Sequence, residues 1–346
     1  MTSDTVRFAI VGLGYGATRC EMAKTAAGAT LVAVADANED RARQGGEKSG
    51  VPWYTDYRYV LDRDDVDVVA LYTPSGLHRD MTIEVAGAGK HVLTTKPIEV
   101  TAARANEMVA ACDTAGVRLF CEYHLRYRPD NLKIYDAIQS GALGRLAIGE
   151  FSFKCFRPQS YYEGANSWRG TWQYNGGGVM MNQTVHMVDK LTWLMGPVES
   201  VQSIAGTYAH QIEVEDTAAA LLRMASGAIG IVIGTTTFKD DSPVNPFFGG
   251  GHTARTEVNG ERGTVTEVNE AITMWRIDGP QAPAETGRRP ANVFEDVASS
   301  LTTSGYTSPT LVTGRDAIYS VEVVEAIYRA VESGRSTPVD TESTAA

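Results

Sequence analysis

Gly12-Leu13-Gly14-Tyr15-Gly16-Ala17 follows the apolar run Phe8–Val11 without a break and opens a helical stretch. Small residues in that place let the main chain come close to a pyrophosphate, and amides at the start of a helix stabilise its charge. The strand-turn-helix context makes the pattern a dinucleotide fingerprint, with Ala17 in the third small position, where a short side chain permits close helix-to-strand packing. Asp36 ends the run Leu31-Val32-Ala33-Val34-Ala35-Asp36, about 20 residues on, where a carboxylate accepts hydrogen bonds from the adenosine ribose hydroxyls. The same charge repels a 2′-phosphate, so NAD is expected over NADP. Arg41 and Arg43, on the helix that follows, are the residues that would soften this preference by pairing with a phosphate.

These residues need a parallel sheet behind them. From Val6 to about Glu122, short β-branched runs (Val6–Val11, Leu31–Ala35, Val66–Leu71, His91–Thr94 and Val117–Cys121) alternate with stretches of helical periodicity, Glu39–Ser49, Met81–Ala88 and Ala102–Ala115. That alternation predicts βαβ units and, by the handedness of crossovers, a doubly wound Rossmann sheet. Past residue 125 the texture changes. A helix, Asn131–Gln139, precedes long alternating strands at Ile148–Phe156, Val198–Thr207, Thr217–Met224, Ile229–Thr236, Glu257–Asn259, Thr264–Val268 and Ile272–Arg276. Tight turns join them, predicting an α+β domain with an open, mostly antiparallel sheet. A helix from Val179 to Met195, opened by Gly176-Gly177-Gly178, interrupts the strands, and Asp316–Ser333 reads as a final amphipathic helix. The expected domains are 1–124, carrying the dinucleotide, and 125–346, carrying substrate and subunit contacts. The Gly- and Pro-rich stretches Asp240–Gly251 and Gly279–Pro290 read as surface loops.

The 346 residues suit two domains, and a net charge of -11 without a Lys/Arg-rich run argues against nucleic acid or an anionic membrane surface as partner. No apolar run approaches the roughly 20 residues of a membrane span, and Met1-Thr2-Ser3-Asp4 lacks the features of a secretory signal. A cytoplasmic protein is expected. Cys20, Cys112, Cys121 and Cys155 show no Cys-x-x-Cys pairing, so free buried thiols are expected rather than a disulfide or zinc site. No metal-binding motif and no Gly-x-Ser-x-Gly elbow is found. The apolar side of an open sheet needs a cover, which predicts a homodimer or homotetramer.

Tyr72-Thr73-Pro74-Ser75-Gly76-Leu77-His78 and Gly89-Lys90-His91-Val92-Leu93-Thr94-Thr95-Lys96-Pro97 resemble the Gfo/Idh/MocA family of glucose-fructose oxidoreductase and inositol 2-dehydrogenase. The resemblance continues through Arg126-Tyr127-Arg128-Pro129, Trp168-Arg169, Gly176-Gly177-Gly178, the helix with Asn182 and His186, and Gly314-Arg315. It implies a Rossmann domain followed by an open antiparallel sheet, with the substrate between them, and oxidation or reduction of a sugar, sugar nucleotide or cyclitol. The family's Glu-Lys-Pro stands here as Thr95-Lys96-Pro97, so the local hydrogen bonding that would orient the lysine departs from the pattern. Its Asp, or in some branches Asn, four residues before a histidine is matched by Asn182 and His186. A four-residue step on a helix puts both on one face.

The resemblance implies that a secondary hydroxyl of a sugar, glycoside or cyclitol loses a proton to His186 and a hydride to nicotinamide. Lys96 would hydrogen-bond the same oxygen and Asn182 would hold a neighbouring hydroxyl. Thr73, Pro74, Ser75, His78, Lys96 and Pro97 are the nicotinamide-side candidates. Tyr123, His124 and Arg126 open the crossover where relatives place cofactor or substrate contacts. Trp168 and Arg169, with Tyr161 and Trp172, form an aromatic and basic cluster suited to sugar faces. Two other readings keep the fold: a bound NAD that makes a transient keto-sugar for a net lyase, hydrolase or sugar-to-sugar reaction, and a nucleotide sensor without catalysis.

Overall fold

The computed structural model describes residues 5–241, 250–279 and 289–339, so the amino-terminal tetrapeptide and most of the two Gly/Pro-rich stretches lie outside the described residues. The chain forms two compact units. The first comprises Met1–Glu99, Ala103–Tyr127 and Arg288–Ile318, and the second Val100–Ala102, Arg128–Gly287 and Tyr319–Ala346.

The first unit runs β1 (Val6–Val11), α1 (Cys20–Thr25), β2 (Ala29–Ala35), α2 (Glu39–Ser49), β3 (Trp53–Tyr54), α3 (Arg58–Leu61), β4 (Val68–Leu71), α4 (His78–Gly87), β5 (His91–Thr95), α5 (Ala102–Ala115) and β6 (Leu119–Glu122). Its six strands lie in the order β3-β2-β1-β4-β5-β6, all parallel. This is the Rossmann order, with its switch point between β1 and β4. The strand β4 and the edge strand β6 are buried along their length and β1 at all but Arg7, which explains their apolar runs: a parallel sheet covered on both faces has little polar side to show. Asn38 caps α2 by accepting the N–H of Arg41, and Gly50 ends it in the left-handed region at φ 69°.

The second unit runs α6 (Pro129–Gln139), β7 (Leu146–Cys155), α7 (Trp172–Asn175), α8 (Val185–Met195), β8 (Val198–Gly206), β9 (Thr217–Met224), β10 (Ile229–Thr235), β11 (His252–Gly260), β12 (Gly263–Val268) and β13 (Ala271–Ile277). The chain then gives the first unit α9 (Val293–Thr302) and closes with α10 (Gly314–Ser333) and β14 (Thr337–Pro338). The eight-stranded sheet has the order β13-β12-β11-β7-β10-β9-β8-β14 and is antiparallel except for the β10/β7 pair. Both the Rossmann domain and the open antiparallel sheet are therefore present as the sequence predicts.

The segment Arg288–Ile318 belongs with the first unit, a return that no periodicity announces. It is held by Asp296, fully buried, which accepts from the hydroxyls of Tyr127 (2.9 Å), Tyr306 (2.8 Å), Ser308 (3.1 Å) and Thr310 (2.5 Å). Four neutral donors solvate the carboxylate in place of water. They fasten α9, whose Phe294 packs edge-on against Phe8 of β1.

In the second unit, α8 lies on the sheet along a track without side chains. A Cβ at Gly149, Gly230 or Gly234 would meet Met195, Leu191 or Thr184, respectively, and Gly149 and Gly230 are register partners on β7 and β10. Beside the track, the fully buried Lys190 of α8 reaches Glu267 of β12 at 2.7 Å. Burial pulls the lysine below its ordinary range and the carboxylate works against that pull.

Candidate active site

In the first unit the candidate residues sit one step beyond the carboxyl ends of the strands: Gly12 after β1, Asp36 after β2, Tyr72 and Thr73 after β4, Lys96 after β5, and Tyr123 after β6. Because Val11 is in register with Ala35 and Leu71, Leu71 with Thr94, and Thr95 with Glu122, these ends form one continuous rim. Ligands of open α/β sheets bind on that rim.

The glycine loop shows why each small residue is needed. Gly12 takes φ 91°, and a Cβ there would overlap the Tyr72 carbonyl, whereas Gly14 has nothing within 4 Å and leaves its side open to a ligand. Close packing against the strand falls to Gly16, where a Cβ would press on Ile10 and Tyr72, and Ala17 is exposed. This differs from the expected role of Ala17. The turn after the loop, Gly16–Arg19, is a 3₁₀ turn rather than an α-helix, and its inward positions are Gly16 and Arg19, three apart. Tyr15 lies over the Arg19 guanidinium at 4.4 Å. Beneath it, Arg19 pairs with the buried Glu122 at 2.9 Å, and Tyr72 donates to the same carboxylate at 2.9 Å.

The Asp36 carboxylate accepts from Leu13 N–H (2.7 Å) and Asn38 N–H (2.8 Å), and takes a two-point contact from Arg41 (3.1 and 2.9 Å). Burial opposes its charge, but the bonds from Arg41, Asn38 and Leu13 outweigh it and hold the carboxyl below its ordinary range. Of the two arginines considered for a 2′-phosphate, Arg41 is the one beside Asp36, while Arg43 pairs with Asp40 and Glu47 on the surface of α2.

Two loops of the rim are clasped together. The fully buried His78 ring lies between the carbonyls of Thr73 (Nε2, 3.1 Å) and Ile98 (Nδ1, 3.0 Å). Burial lowers its affinity for a proton. Glu99, also fully buried, accepts the Arg79 N–H at 2.8 Å and Arg104 at 2.9 Å, and Arg104 donates to the Gly76 carbonyl at 3.0 Å. His78 therefore stands behind the rim as a fastener, with Thr73, Pro74 and Lys96 partly exposed in front and Ser75 and Pro97 buried. The Lys96–Pro97 peptide is cis. Tyr123 is buried and Arg126 partly exposed, on the turn His124–Tyr127. Sequence reasoning missed Glu99 and Arg104, whose only signal is an acidic residue two places beyond the Lys-Pro pair.

In the second unit, Asn182 and His186 stand where a glycine run meets a helix. The carboxylate of Glu215 accepts Gly178 N–H (2.8 Å), Met180 N–H (2.9 Å) and the Tyr328 hydroxyl (3.0 Å), while its carbonyl accepts Val179 N–H (3.0 Å). Cβ atoms at Gly177 and Gly178 would overlap Tyr328 and Glu215, so the glycines are the space this knot requires. Burial raises the Glu215 carboxyl above its usual range, against the pull of those N–H groups. The expected α-helix from Val179 opens instead with a π-turn, Met180–Thr184, and becomes α only at Val185. Glu215 caps the N–H groups of Gly178 and Met180, which open the helix without an intrahelical acceptor, and Asn182 N–H bonds the Gly178 carbonyl at 3.0 Å. Asn182 lies on the π-turn and His186 on the first turn of α8, both partly buried. One Asn182 amide N–H is committed to the buried Asn175 (2.5 Å), which fixes the side chain's orientation.

Tyr161, Trp168 and Arg169 do come together. The guanidinium of Arg169 lies 4.6 Å from the Tyr161 ring and 4.8 Å from the Trp168 ring, and Arg157, which sequence reasoning passed over, lies 5.2 Å from Tyr161. Trp172 is instead set edge-on against Tyr328. Among the described residues no cluster of three His, Cys, Asp or Glu side chains is placed to hold a metal ion.

The profile described as "Oxidoreductase family, NAD-binding Rossmann fold" matches residues 6–123, and that of the GFO/IDH/MocA C-terminal domain matches 131–266. The chain belongs to the Gfo/Idh/MocA family. It is an oxidoreductase of that family, and residues 6–123 form its NAD-binding Rossmann fold. The WlbA dehydrogenase from Bordetella pertussis, solved with NADH and UDP-GlcNAcA, is 33% identical, with a TM-score of 0.84 over 99% of this chain and 100% of that one. An aldose-aldose oxidoreductase from Caulobacter crescentus, solved with glycerol, is 27% identical, with a TM-score of 0.81 over 96% and 99%. The 1,5-anhydro-D-fructose reductase of Ensifer adhaerens is 28% identical over 91% of this chain and 93% of that protein.

Proposed function

We propose that this Gfo/Idh/MocA oxidoreductase moves a hydride between a secondary hydroxyl of a sugar, glycoside or cyclitol and NAD. The observation that supports this most is that both groups of candidate residues are braced from behind by buried polar knots, His78/Glu99/Arg104 for Lys96 and Glu215/Tyr328 for Asn182 and His186. Such support is what a preorganised site requires and what a passive binder can do without. Bound NAD supplies the hydride acceptor. Lys96 donates a hydrogen bond to the substrate oxygen and stabilises the charge that develops there, His186 accepts its proton, and Asn182 holds a neighbouring hydroxyl. Each relative described above acts on, or was solved with, a sugar or polyol, which supports the substrate class. The test is absorbance of reduced nicotinamide over a panel of sugars, sugar nucleotides and inositols. Turnover on at least one is expected, and none on any would overturn the reading. The likeness to an aldose-aldose oxidoreductase favours one variant, in which the cofactor stays bound and reduces a second sugar. Cofactor that copurifies, with products showing no net oxidation, would establish that variant.

We further propose NAD over NADP. Asp36 is set to accept the ribose hydroxyls, and its charge repels a 2′-phosphate. Arg41, about half exposed at 52%, is held against Asp36 rather than released to bind a phosphate. Replacing Asp36 with serine frees Arg41, so the ratio of kcat/KM for NAD to that for NADP should fall about a hundredfold. Taking the ratio cancels damage common to both cofactors. An unchanged ratio would remove Asp36 as the discriminator.

A second copy of the chain is our proposed cover for the outer face of the eight-stranded sheet, where Ile204 (75% exposed), Leu221 (49%) and Ile229 (45%) stand in the open. Light scattering should give two or four times 37.3 kDa, and Leu221→Glu with Ile229→Glu should give monomer. A monomeric parent would contradict this. The four buried, free cysteines suit the reducing cytoplasm, which we propose as the location. No helix among the described residues is long and apolar enough to cross a membrane.

A further inference from the structure

We infer that Asn175 is a positioning residue that fixes which end of the Asn182 amide a substrate meets, and that it makes asparagine rather than aspartate the residue this site can use at position 182. Its part in turnover rests on the dehydrogenase reading above. Asn175 ends α7 and is fully buried. A buried amide needs its polar atoms paired, and both ends of this one are engaged. Its Nδ2 donates to the Gly177 carbonyl, and its Oδ1 accepts from Nδ2 of Asn182 at 2.5 Å. An asparagine that served only to close the glycine turn would need the first of these bonds and not the second.

The polarity of this row is set from its far end. The Gly177 carbonyl and the Gly178 N–H belong to one peptide group, and the Glu215 carboxylate holds that N–H at 2.8 Å. Turning the peptide over would aim its carbonyl oxygen at the carboxylate, so the carbonyl stays directed at Asn175. A carbonyl only accepts. The atom Asn175 turns toward Gly177 is therefore its nitrogen, the atom left for Asn182 is its oxygen, and the atom Asn182 turns toward Asn175 is again a nitrogen. Every donor in the row points back toward Glu215, and bonds aligned in this way polarise one another. The oxygen of Asn182 faces away from Asn175, so Asn182 meets a substrate hydroxyl as the acceptor of its hydrogen bond.

Aspartate at position 182 breaks the row. Its carboxylate would set an oxygen against Asn175 Oδ1 with no proton between them, two acceptors taken from water for no bond in return. Asn175 could offer its nitrogen to that carboxylate only by setting Oδ1 against the Gly177 carbonyl, which moves the conflict without removing it. Deleting the Asn175 side chain does remove it. Water in the space left behind can donate to the Gly177 carbonyl and to the new carboxylate at once. Asn175 and Asn182 are thus a matched pair, and aspartate is harmful at 182 through Asn175.

The test is a double-substitution cycle in the whole chain: parent, Asn182→Asp, Asn175→Ala, and both together. Each protein is read by its melting temperature and by kcat/KM on the panel sugar that the parent turns over best. Asn182→Asp should lower kcat/KM about tenfold or more in the parent and less than about twofold in the Asn175→Ala background. The melting temperature should follow the same pattern, falling by about 3 °C or more in the parent and by under about 1 °C beside Asn175→Ala. A residue that merely shored up the fold would not make a second substitution harmless, so this relief is the signature of positioning. If Asn175→Ala fails to fold, Asn175→Ser, which is smaller than asparagine and keeps a hydroxyl donor, completes the cycle. A loss from Asn182→Asp that is equal in both backgrounds, in either quantity, or no loss in the parent, would overturn the inference. If no panel sugar is turned over, the melting temperatures decide it and only the dehydrogenase reading falls. Turnover without this coupling would sink only the role of Asn175.

Discussion

Replacing Lys96 with methionine is expected to lower kcat about a thousandfold while NADH affinity, followed by nicotinamide fluorescence, stays within a few fold. The ammonium contributes most when the substrate oxygen carries developing negative charge, so its loss raises the barrier more than it weakens the ground state. Methionine keeps the unbranched stem and removes only the charge and the donors. The loop beyond Lys96 has holds of its own, since His78 holds the Ile98 carbonyl and Glu99 holds Arg79 and Arg104. Equal losses in kcat and in NADH affinity would show that Lys96 is a structural part of the nucleotide site instead.

Replacing His186 with asparagine is expected to cost between about a hundredfold and ten-thousandfold in kcat/KM for oxidation, the range of a general base. The pH profile carries the sharper sign. A parent that uses an imidazole base loses oxidation as pH falls and the ring takes up a proton, and that acid limb should be absent from the residual activity of the variant. In the reductive direction the parent's limb should run the other way, since the protonated ring is then the donor. The knot of Glu215, Gly178, Met180 and Tyr328 does not include His186, so the melting temperature should hardly move. A variant retaining the full acid limb would assign the base to another group.

Wherever local sequence dictates the outcome, the fold was legible. The strand Val6–Val11, the capped helix Glu39–Ser49, the helix Ala102–Ala115 and the strand Thr217–Met224 lie where the sequence put them: three carry a run or repeat of apolar residues, and Glu39–Ser49, with Ala42 as its one apolar side chain, is bounded by Asn38 and Gly50. What was hidden depends on partners far along the chain. The two-residue strand Trp53–Tyr54 exists only by pairing with Val34 and Ala35. The return of Val293–Thr302 rests on Asp296 gathering four hydroxyls, and the helix start at Met180 is capped by a glutamate 35 residues on.

The candidate site divides in the same way. The glycine loop and Asp36 carry their meaning in spacing, and Lys96, Asn182 and His186 in their resemblance to a family. Glu99, Arg104 and Glu215 carry no motif: an acidic residue reads as surface until the structure buries it, and Arg104 reads as solvated until it is found against Glu99. The role expected of Ala17 falls to Gly16, which opens the 3₁₀ turn facing Ile10 and Tyr72.

Hydride transfer itself is tested most directly by a substrate from the sugar panel deuterated at the carbinol carbon. After one turnover with NAD, the reduced nicotinamide should carry the deuterium at C4, with none of it lost to water. Reduced cofactor without deuterium, or a substrate that exchanges its deuterium with solvent while the nicotinamide stays oxidised, would contradict hydride transfer and with it the function proposed for this chain.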